Sequence, residues 1–226
     1  EKIKFYYWIL ILSISSLIHF YFTIMLSLIY TIFLFDRFLI NKKFLKSLKE
    51  IFIPFSFLLL VMYLFGYFEI PLTDSLGHGY GYYKANLLTF FNPVSNISNI
   101  SWSNFLPNLP SAGGDYEGFG YLGLGGIILL ILLFFYFCRK EPLLNFKKNR
   151  PYYLVITILF ILAISNTIHF GSFVLLDISL PKFLYGPLSI FRVSGRFIWP
   201  IYYLIFIAGL VLIYKKIRIK KNALLI

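Results

Sequence analysis

Charge is scarce in this chain. Only 13% of its residues are Asp, Glu, Lys or Arg, against about a quarter in soluble domains. With 59% of residues apolar, mean hydropathy reaches +0.80. That balance excludes a water-soluble globular domain and is the composition of an integral membrane protein. Acidic residues are the rarer sign: 9 Asp and Glu stand against 21 Lys and Arg, a net charge of +12. In a soluble protein this excess would point to nucleic acid. Here the basic residues cluster beside apolar runs, as the positive-inside rule requires, so no nucleic-acid partner is expected. Cysteine is down to Cys138 alone, which excludes an intrachain disulfide and a cysteine metal centre. His19, His78 and His169 stand far apart in the chain, so no metal is expected, and nothing calls for a cofactor.

What the chain has in abundance is apolar sequence and aromatic rings, with 27 Phe and 18 Tyr. Residues 5–35 run without a charge. A single span needs about 20 residues, so this run is either one long helix, kinked near Ser13, Ser15, Ser16 and His19, or two short helices meeting there. Residues 51–68, 121–138, 152–168 and 197–214 form four further apolar runs. Pro54 and Pro200 fall near the starts of two of them, where a missing N–H costs little. Gly120, Gly123, Gly125 and Gly126 open a third, and small residues there let helix backbones approach closely. The fold class predicted is all-α: one polytopic membrane domain over residues 1–226, of about 5–6 transmembrane helices. Because the sequence opens at Glu1 and enters an apolar run almost at once, it reads as the C-terminal part of a longer protein.

Most of the 21 Lys and Arg fall in three alternate connections: residues 36–50, 139–150 and the tail from Lys215. The first of these mixes Arg37, Lys42, Lys43, Lys46 and Lys49 with Phe38, Leu39, Phe44, Leu45 and Leu48, and reads as a basic amphipathic segment on the membrane surface. The same count predicts cytoplasmic basic loops, which in a bacterium would set the chain in the inner membrane. Two polar islands, residues 69–120 and 169–196, then face the periplasm or exterior.

The islands carry nearly every residue suited to chemistry. The first holds Gly77-His78-Gly79-Tyr80-Gly81-Tyr82-Tyr83-Lys84-Ala85-Asn86 and, further on, Asp115-Tyr116-Glu117. Carboxylates beside a bilayer can act as general bases, bind metal or hold sugar hydroxyls. They also serve, more plainly, as solvated loop charges or helix N-terminal charges. His78 can carry a proton near neutral pH or simply hydrogen-bond. In the second island Arg192 and Arg196 are spaced to share a helix face just before the last apolar run. Outer-face arginines run against the positive-inside bias. They recognise a ligand phosphate, for which the guanidinium fork is suited, or pair with Asp74, Asp115, Glu117 or Asp177, or contact lipid headgroups.

Several stretches carry a resemblance: Ile18-His19-Phe20-Tyr21-Phe22, Gly81-Tyr82-Tyr83-Lys84-Ala85-Asn86-Leu87-Leu88 with Phe91-Asn92-Pro93, Tyr116-Glu117-Gly118-Phe119-Gly120-Tyr121-Leu122-Gly123-Leu124-Gly125, and Phe191-Arg192-Val193-Ser194-Gly195-Arg196-Phe197-Ile198-Trp199-Pro200. Together they resemble the C-terminal half of an uncharacterised family of bacterial multi-span membrane proteins, itself similar to the GT-C glycosyltransferases. The resemblance implies a glycosyltransferase-like protein of cell-envelope polysaccharide biosynthesis. It would take sugar from a polyprenyl-phosphate donor at the outer face. On this expectation Arg192 and Arg196 hold the phosphate. Glu117, Asp115 and His78 line the sugar or acceptor side as candidate catalytic groups, and Tyr82, Tyr83, Lys84 and Asn86 contact substrate. GT-C enzymes place an acidic catalytic residue in their first outer loop. That region precedes Glu1, so no residue here takes the role by correspondence.

Two other classes stay open. A lipid-linked glycan polymerase or ligase would also use outer-face arginines. A transporter, flippase or non-catalytic assembly subunit would make no bond. Ion-coupled transport calls for ionisable groups inside the spans, and the four runs from 51 to 214 contain none.

Overall fold

A computed structural model describes residues 5–69, 80–94, 100–140, 146–181, 183–184, 188 and 190–223. Among the described residues the main elements are the α-helices α1 (Phe5–Ile18), α2 (Phe20–Asn41), α3 (Phe44–Leu64), α4 (Gly123–Lys140), α5 (Phe146–Ile164) and α6 (Trp199–Ala223). Two antiparallel strands, β1 (Thr167–Phe170) and β2 (Phe173–Asp177), follow α5. Short 3-10 turns cover Asp115–Gly118 and Ser194–Ile198. Internal contacts divide the chain into two units, Glu1–Leu76 with Asn149–Ile158, and Gly77–Lys148 with Leu159–Ile226.

Three stretches are long and apolar enough to cross a membrane: Phe20–Asn41, Phe44–Leu64 and Ser194–Val211. At 1.5 Å per residue α2 is about 33 Å long, enough for a hydrocarbon core of about 30 Å. The 14-residue α1 reaches only about 21 Å. It joins Gly123–Phe135 and Asn149–Ile164 as a shorter apolar helix. A mostly helical membrane fold therefore stands, with three clear spans among the described residues. On α3, Phe52, Leu60, Tyr63 and Leu64 are all more than half exposed. Such a strip would be an unstable apolar patch in water and suits contact with lipid.

In the first unit, the 5–35 run resolves into two helices, and His19 is the break. Its backbone is extended (φ −164°, ψ 130°), and its Nδ1 accepts from the Tyr21 N–H as the N-cap of α2. The carbonyl of Ser16, freed as α1 ends, accepts from the Tyr67 hydroxyl. Ser15 Oγ donates to the Leu12 carbonyl and lies within hydrogen-bond distance of the Thr23 hydroxyl at 3.3 Å, stitching the two helix ends together. The core here is Leu12, Tyr30, Leu34 and Leu58, with Trp8 stacked on Tyr30 at 4.6 Å.

Residues 36–50 do not form a separate surface helix. Lys42 turns left-handed (φ 50°) and returns its N–H to the Phe38 carbonyl, closing α2, and α3 starts at Phe44. The amphipathic pattern is that of two helix ends meeting in a tight turn. Because α3 starts so early, Pro54 lies in its interior rather than in its first turn. An interior proline leaves the carbonyl four residues back without its helical donor. That carbonyl belongs to Glu50, and the buried Tyr30 hydroxyl donates to it at 2.6 Å.

In the second unit α4 packs on α6. Gly126 faces the Phe206 ring and Gly209 faces the Leu129 side chain, each too closely for a Cβ to be added without movement. Gly123 and Gly125 face open space, so close packing falls to only one of these helix-opening glycines. The β-hairpin corrects the all-α expectation. Its alternating β-branched and aromatic residues, Thr167-Ile168-His169-Phe170 and Phe173-Val174-Leu175, flank a Gly171-Ser172 turn. That is a hairpin signal, at the boundary between the 152–168 apolar run and the second island.

The Tyr30–Glu50 bond supplies a test. Tyr30→Phe strands a buried carbonyl and is expected to cost about 1–3 kcal/mol, or roughly 2–10 °C in Tm for a chain of this size. In a Pro54→Ala background the new N–H can satisfy Glu50, and the same substitution should cost much less. Thermal unfolding in detergent of the four proteins in this cycle measures the difference.

Candidate functional site

The two polar islands fold together, and the contact is made by backbone. The 84–85 segment, Gly118 and Gly195 cross with almost no space between them. A Cβ on Gly118 would lie 2.5 Å from the Ala85 Cα, and one on Gly195 would lie 2.7 Å from the Gly118 Cα. Only glycine allows this approach. The Gly195 N–H donates to the Tyr83 carbonyl at 2.8 Å, and the Ala85 N–H to the Ala163 carbonyl at the end of α5, also at 2.8 Å. Gly114, left-handed at φ +82°, lets the preceding chain pass directly over the Tyr82 carbonyl.

Around this crossing the polar side chains are buried and bonded. Asn86 uses its whole amide. Its Nδ2 donates to Asp115 Oδ2 at 2.7 Å and to the Gly171 carbonyl at 2.8 Å. Its Oδ1 accepts from the N–H groups of Gly171 and Leu88. One side chain thereby ties the hairpin turn of the second island to the acidic loop of the first. Asp115 Oδ2 also accepts from the Ala112 N–H at 2.8 Å. Thr89 donates to the Gly118 carbonyl and accepts from the Gly120 N–H. Asn92 clamps Leu109 through both its carbonyl and its N–H.

Lys84 completes the group. It is 2% exposed, and its Nζ lies 3.5 Å from Asp115 Oδ1. Burial pushes the Lys84 pKa below its usual value, while Asp115 opposes the shift through its charge and a hydrogen bond. His169, on β1, is held below the usual imidazole range, chiefly by burial and then by the Lys84 charge, while Asp115 and Asp177 pull the other way. His169 is therefore neutral near pH 7. A cavity of about 20 Å³ adjoins Asp115, lined by Asn86, Thr89, Asn92 and Ser111 among others. That is room for one water molecule and none for a sugar.

Glu117 lies two residues past Asp115 in a different environment. Its Oε2 accepts from Arg196 Nε at 3.1 Å and Nη2 at 2.9 Å, and both side chains are about one-quarter exposed. The Arg196 guanidinium also lies 5.8 Å from the Trp199 ring centroid. Tyr82, Tyr83 and Tyr116 form a chain of edge-to-face rings next to them, at 4.8 and 5.8 Å, with Tyr82 about half exposed.

The candidate residues thus separate by burial. Lys84, Asn86 and Asp115 form the bonded interior, where no substrate reaches them in this arrangement. Glu117, Arg196, Tyr82 and Tyr83 lie at or near the surface. Arg192 is exposed in a turn while Arg196 sits in a 3-10 turn, so the two do not share an α-helical face. Arg196 takes the pairing with Glu117. His78 lies outside the described residues. Sequence reasoning passed over Thr89 and the Gly118–Gly195 contact. A glycine inside Ser194-Gly195-Arg196 carries no mark of the backbone it must touch. Among the described residues no group of three His, Cys, Asp or Glu could hold a metal ion.

Removing Lys84 alone leaves a buried carboxylate without its counter-charge. Lys84→Met is expected to cost about 3–5 kcal/mol, and the Lys84→Met/Asp115→Asn double variant markedly less. The lowered pKa also fixes a sign. Above its folded-state pKa, Lys84 holds its proton more weakly in the folded protein than in the unfolded chain. Stability from this group therefore rises with pH up to the ordinary lysine range. Unfolding in detergent at pH 8 and pH 10 should show the wild type gaining stability relative to the double variant.

No curated protein matches the chain, and no solved structure does. Residues 1–226 match the family described as Domain of unknown function (DUF6311), and the chain belongs to that family.

Proposed function

We propose that this is a membrane glycosyltransferase-like protein that takes sugar from a polyprenyl-phosphate donor at the outer face of a bacterial cytoplasmic membrane. The observation that carries the reading is the Glu117–Arg196 pair, about one-quarter exposed, with Arg196 in the first turn of the candidate span Ser194–Val211. A carboxylate and a guanidinium at that depth stand where the phosphate and first sugar of a lipid-linked donor would lie. The alternating basic loops support the outward orientation of the islands.

In this mechanism Arg196, with the exposed Arg192, holds the donor phosphate and takes up charge as the glycosyl–phosphate bond breaks. Glu117 exchanges its guanidinium partner for the acceptor hydroxyl and accepts its proton as that oxygen attacks the anomeric carbon. Phosphate leaves with the bonding electrons. Tyr82 and Tyr83 offer ring faces to the sugar. Asp115, Lys84 and Asn86 keep the acidic loop in place and do not touch substrate.

A second reading has its own support. The cavity beside Asp115 holds no more than a water molecule, and Asn86 and Thr89 spend their polar groups on bonds within the fold. A non-catalytic assembly subunit that presents the island as a rigid surface fits those facts. A lipid-linked glycan polymerase or ligase would use the same arginines and differ in the size of its product.

The deciding experiment is sugar transfer and binding of polyprenyl phosphate by protein in lipid nanodiscs. Arg192→Ala/Arg196→Ala is expected to weaken polyprenyl-phosphate binding at least tenfold. Glu117→Gln is expected to keep binding while lowering transfer by about 10²–10⁴, the usual contribution of a general base. Unchanged phosphate binding in the arginine variant would remove the donor assignment. Binding without any transfer by the wild type would favour the assembly reading.

A further inference from the structure

The basic helix turn of the first unit borders a crevice that the proposed reaction does not use. It encloses about 380 Å³ among α1, α2 and α5, lined by Trp8, Tyr30, Phe33, Leu34, Arg37 and Tyr152, among others. Small-ligand sites are typically about 300–1,000 Å³, mainly apolar with a few placed polar groups, and this crevice has both features. Its apolar wall is rigid: Trp8 stacks on Tyr30, Tyr30 is bonded to the α3 backbone, and Phe33 meets Tyr152 edge to face at 5.0 Å.

Its polar edge holds Asp36 and Arg37. Arg37 pairs with Glu50, and Arg150 lies 3.2 Å from Asp36. In both pairs the guanidinium is about 40% exposed while the carboxylate is largely covered, so each cation keeps an open side toward a competing anion. Over residues 36–50, Arg37, Lys42, Lys43, Lys46 and Lys49 stand against Asp36 and Glu50. The connection that borders the crevice therefore carries an excess of positive charge.

We propose that this crevice is a binding site for an anionic glycerophospholipid. One acyl chain lies along Trp8, Tyr30 and Phe33, and the headgroup phosphate rests against Arg37 and the basic turn. Charge complementarity selects this occupant. A zwitterionic lipid brings its own ammonium to the basic edge, whereas an anionic one brings net negative charge to cations at the leaflet where acidic lipids gather. The site is independent of the sugar-transfer proposal and sits on other residues.

Trp8 is the built-in probe. In a Trp102→Phe/Trp199→Phe background it is the only tryptophan of the original 3. The full chain would be placed in phosphatidylcholine vesicles doped with equal small mole fractions of either acyl-brominated phosphatidylglycerol or acyl-brominated phosphatidylcholine. The proposal expects Trp8 fluorescence to be quenched several-fold more by the anionic lipid. Arg37→Gln should abolish the preference, Arg37→Lys should retain it, and Ile29→Phe, which fills the crevice, should reduce quenching by the anionic lipid. Equal quenching by the two lipids in the otherwise native chain would overturn the proposal without recourse to any crevice variant. So would a preference that survives Arg37→Gln, or unchanged quenching in Ile29→Phe. Shielding of Trp8 from both lipids would mean that protein, a second copy or another segment, fills the crevice, and would overturn it equally.

Discussion

The two polar islands of this protein depend on one buried ion pair. Lys84 and Asp115 belong to segments far apart in sequence, and both are removed from water. Two charges pay a heavy desolvation cost there and are tolerated only when geometry and further hydrogen bonds compensate. Here Asn86 and the Ala112 N–H donate to Asp115 Oδ2, and the Lys84 ammonium faces Oδ1 across 3.5 Å as an ion pair. Asn86 extends the same network into the hairpin turn at Gly171. The pair thus links both islands, and it sets the direction in which Asp115 and Glu117 diverge along a single 3-10 turn.

That divergence organises the functional reading. Two carboxylates two residues apart look equivalent as sequence. One is directed inward to a lysine and holds the fold. Its neighbour is directed outward to an arginine at the first turn of a candidate span. The ring chain Tyr82–Tyr83–Tyr116 runs beside the outward one, and Gly114, Gly118 and Gly195 let three pieces of backbone come close enough to fix the arrangement. A membrane protein gains little from burying apolar surface against lipid, so close packing and satisfied polar groups carry more of the specificity. The glycine crossing and the fully used Asn86 amide show this outside the helices, as Gly209 against Leu129 does within them.

Much of this was legible in the residues, for identifiable reasons. Apolar runs and their flanking charges gave the helices, because lipid solvation acts on composition directly. His19 with its serines marked the break between α1 and α2, since an N-cap is a local signal. The Glu117–Arg196 pair was among the partnerships that the spacing allowed. The rest depended on long-range contact. Pro54 read as a first-turn proline because nothing local shows that α3 begins at Phe44. It is tolerated in the interior because Tyr30, on another helix, takes over its carbonyl partner. Lys84 and Asn86 looked like ligand contacts, as polar residues beside tyrosines do, and their burial follows from glycines more than thirty residues away. The hairpin signal around Gly171-Ser172 was present, but it straddles the end of the 152–168 apolar run and the start of the second island.

Hydrogen exchange of the wild type and Asp115→Asn in detergent, read by mass spectrometry peptide by peptide, tests most directly whether the islands are one body held by this pair. If they are, the variant loses amide protection together in residues 84–90, 115–120 and 194–198, while α1–α3 keep theirs. Loss confined to 115–120, with 84–90 and 194–198 unchanged, would contradict the account and leave Glu117 and Arg196 without a common support.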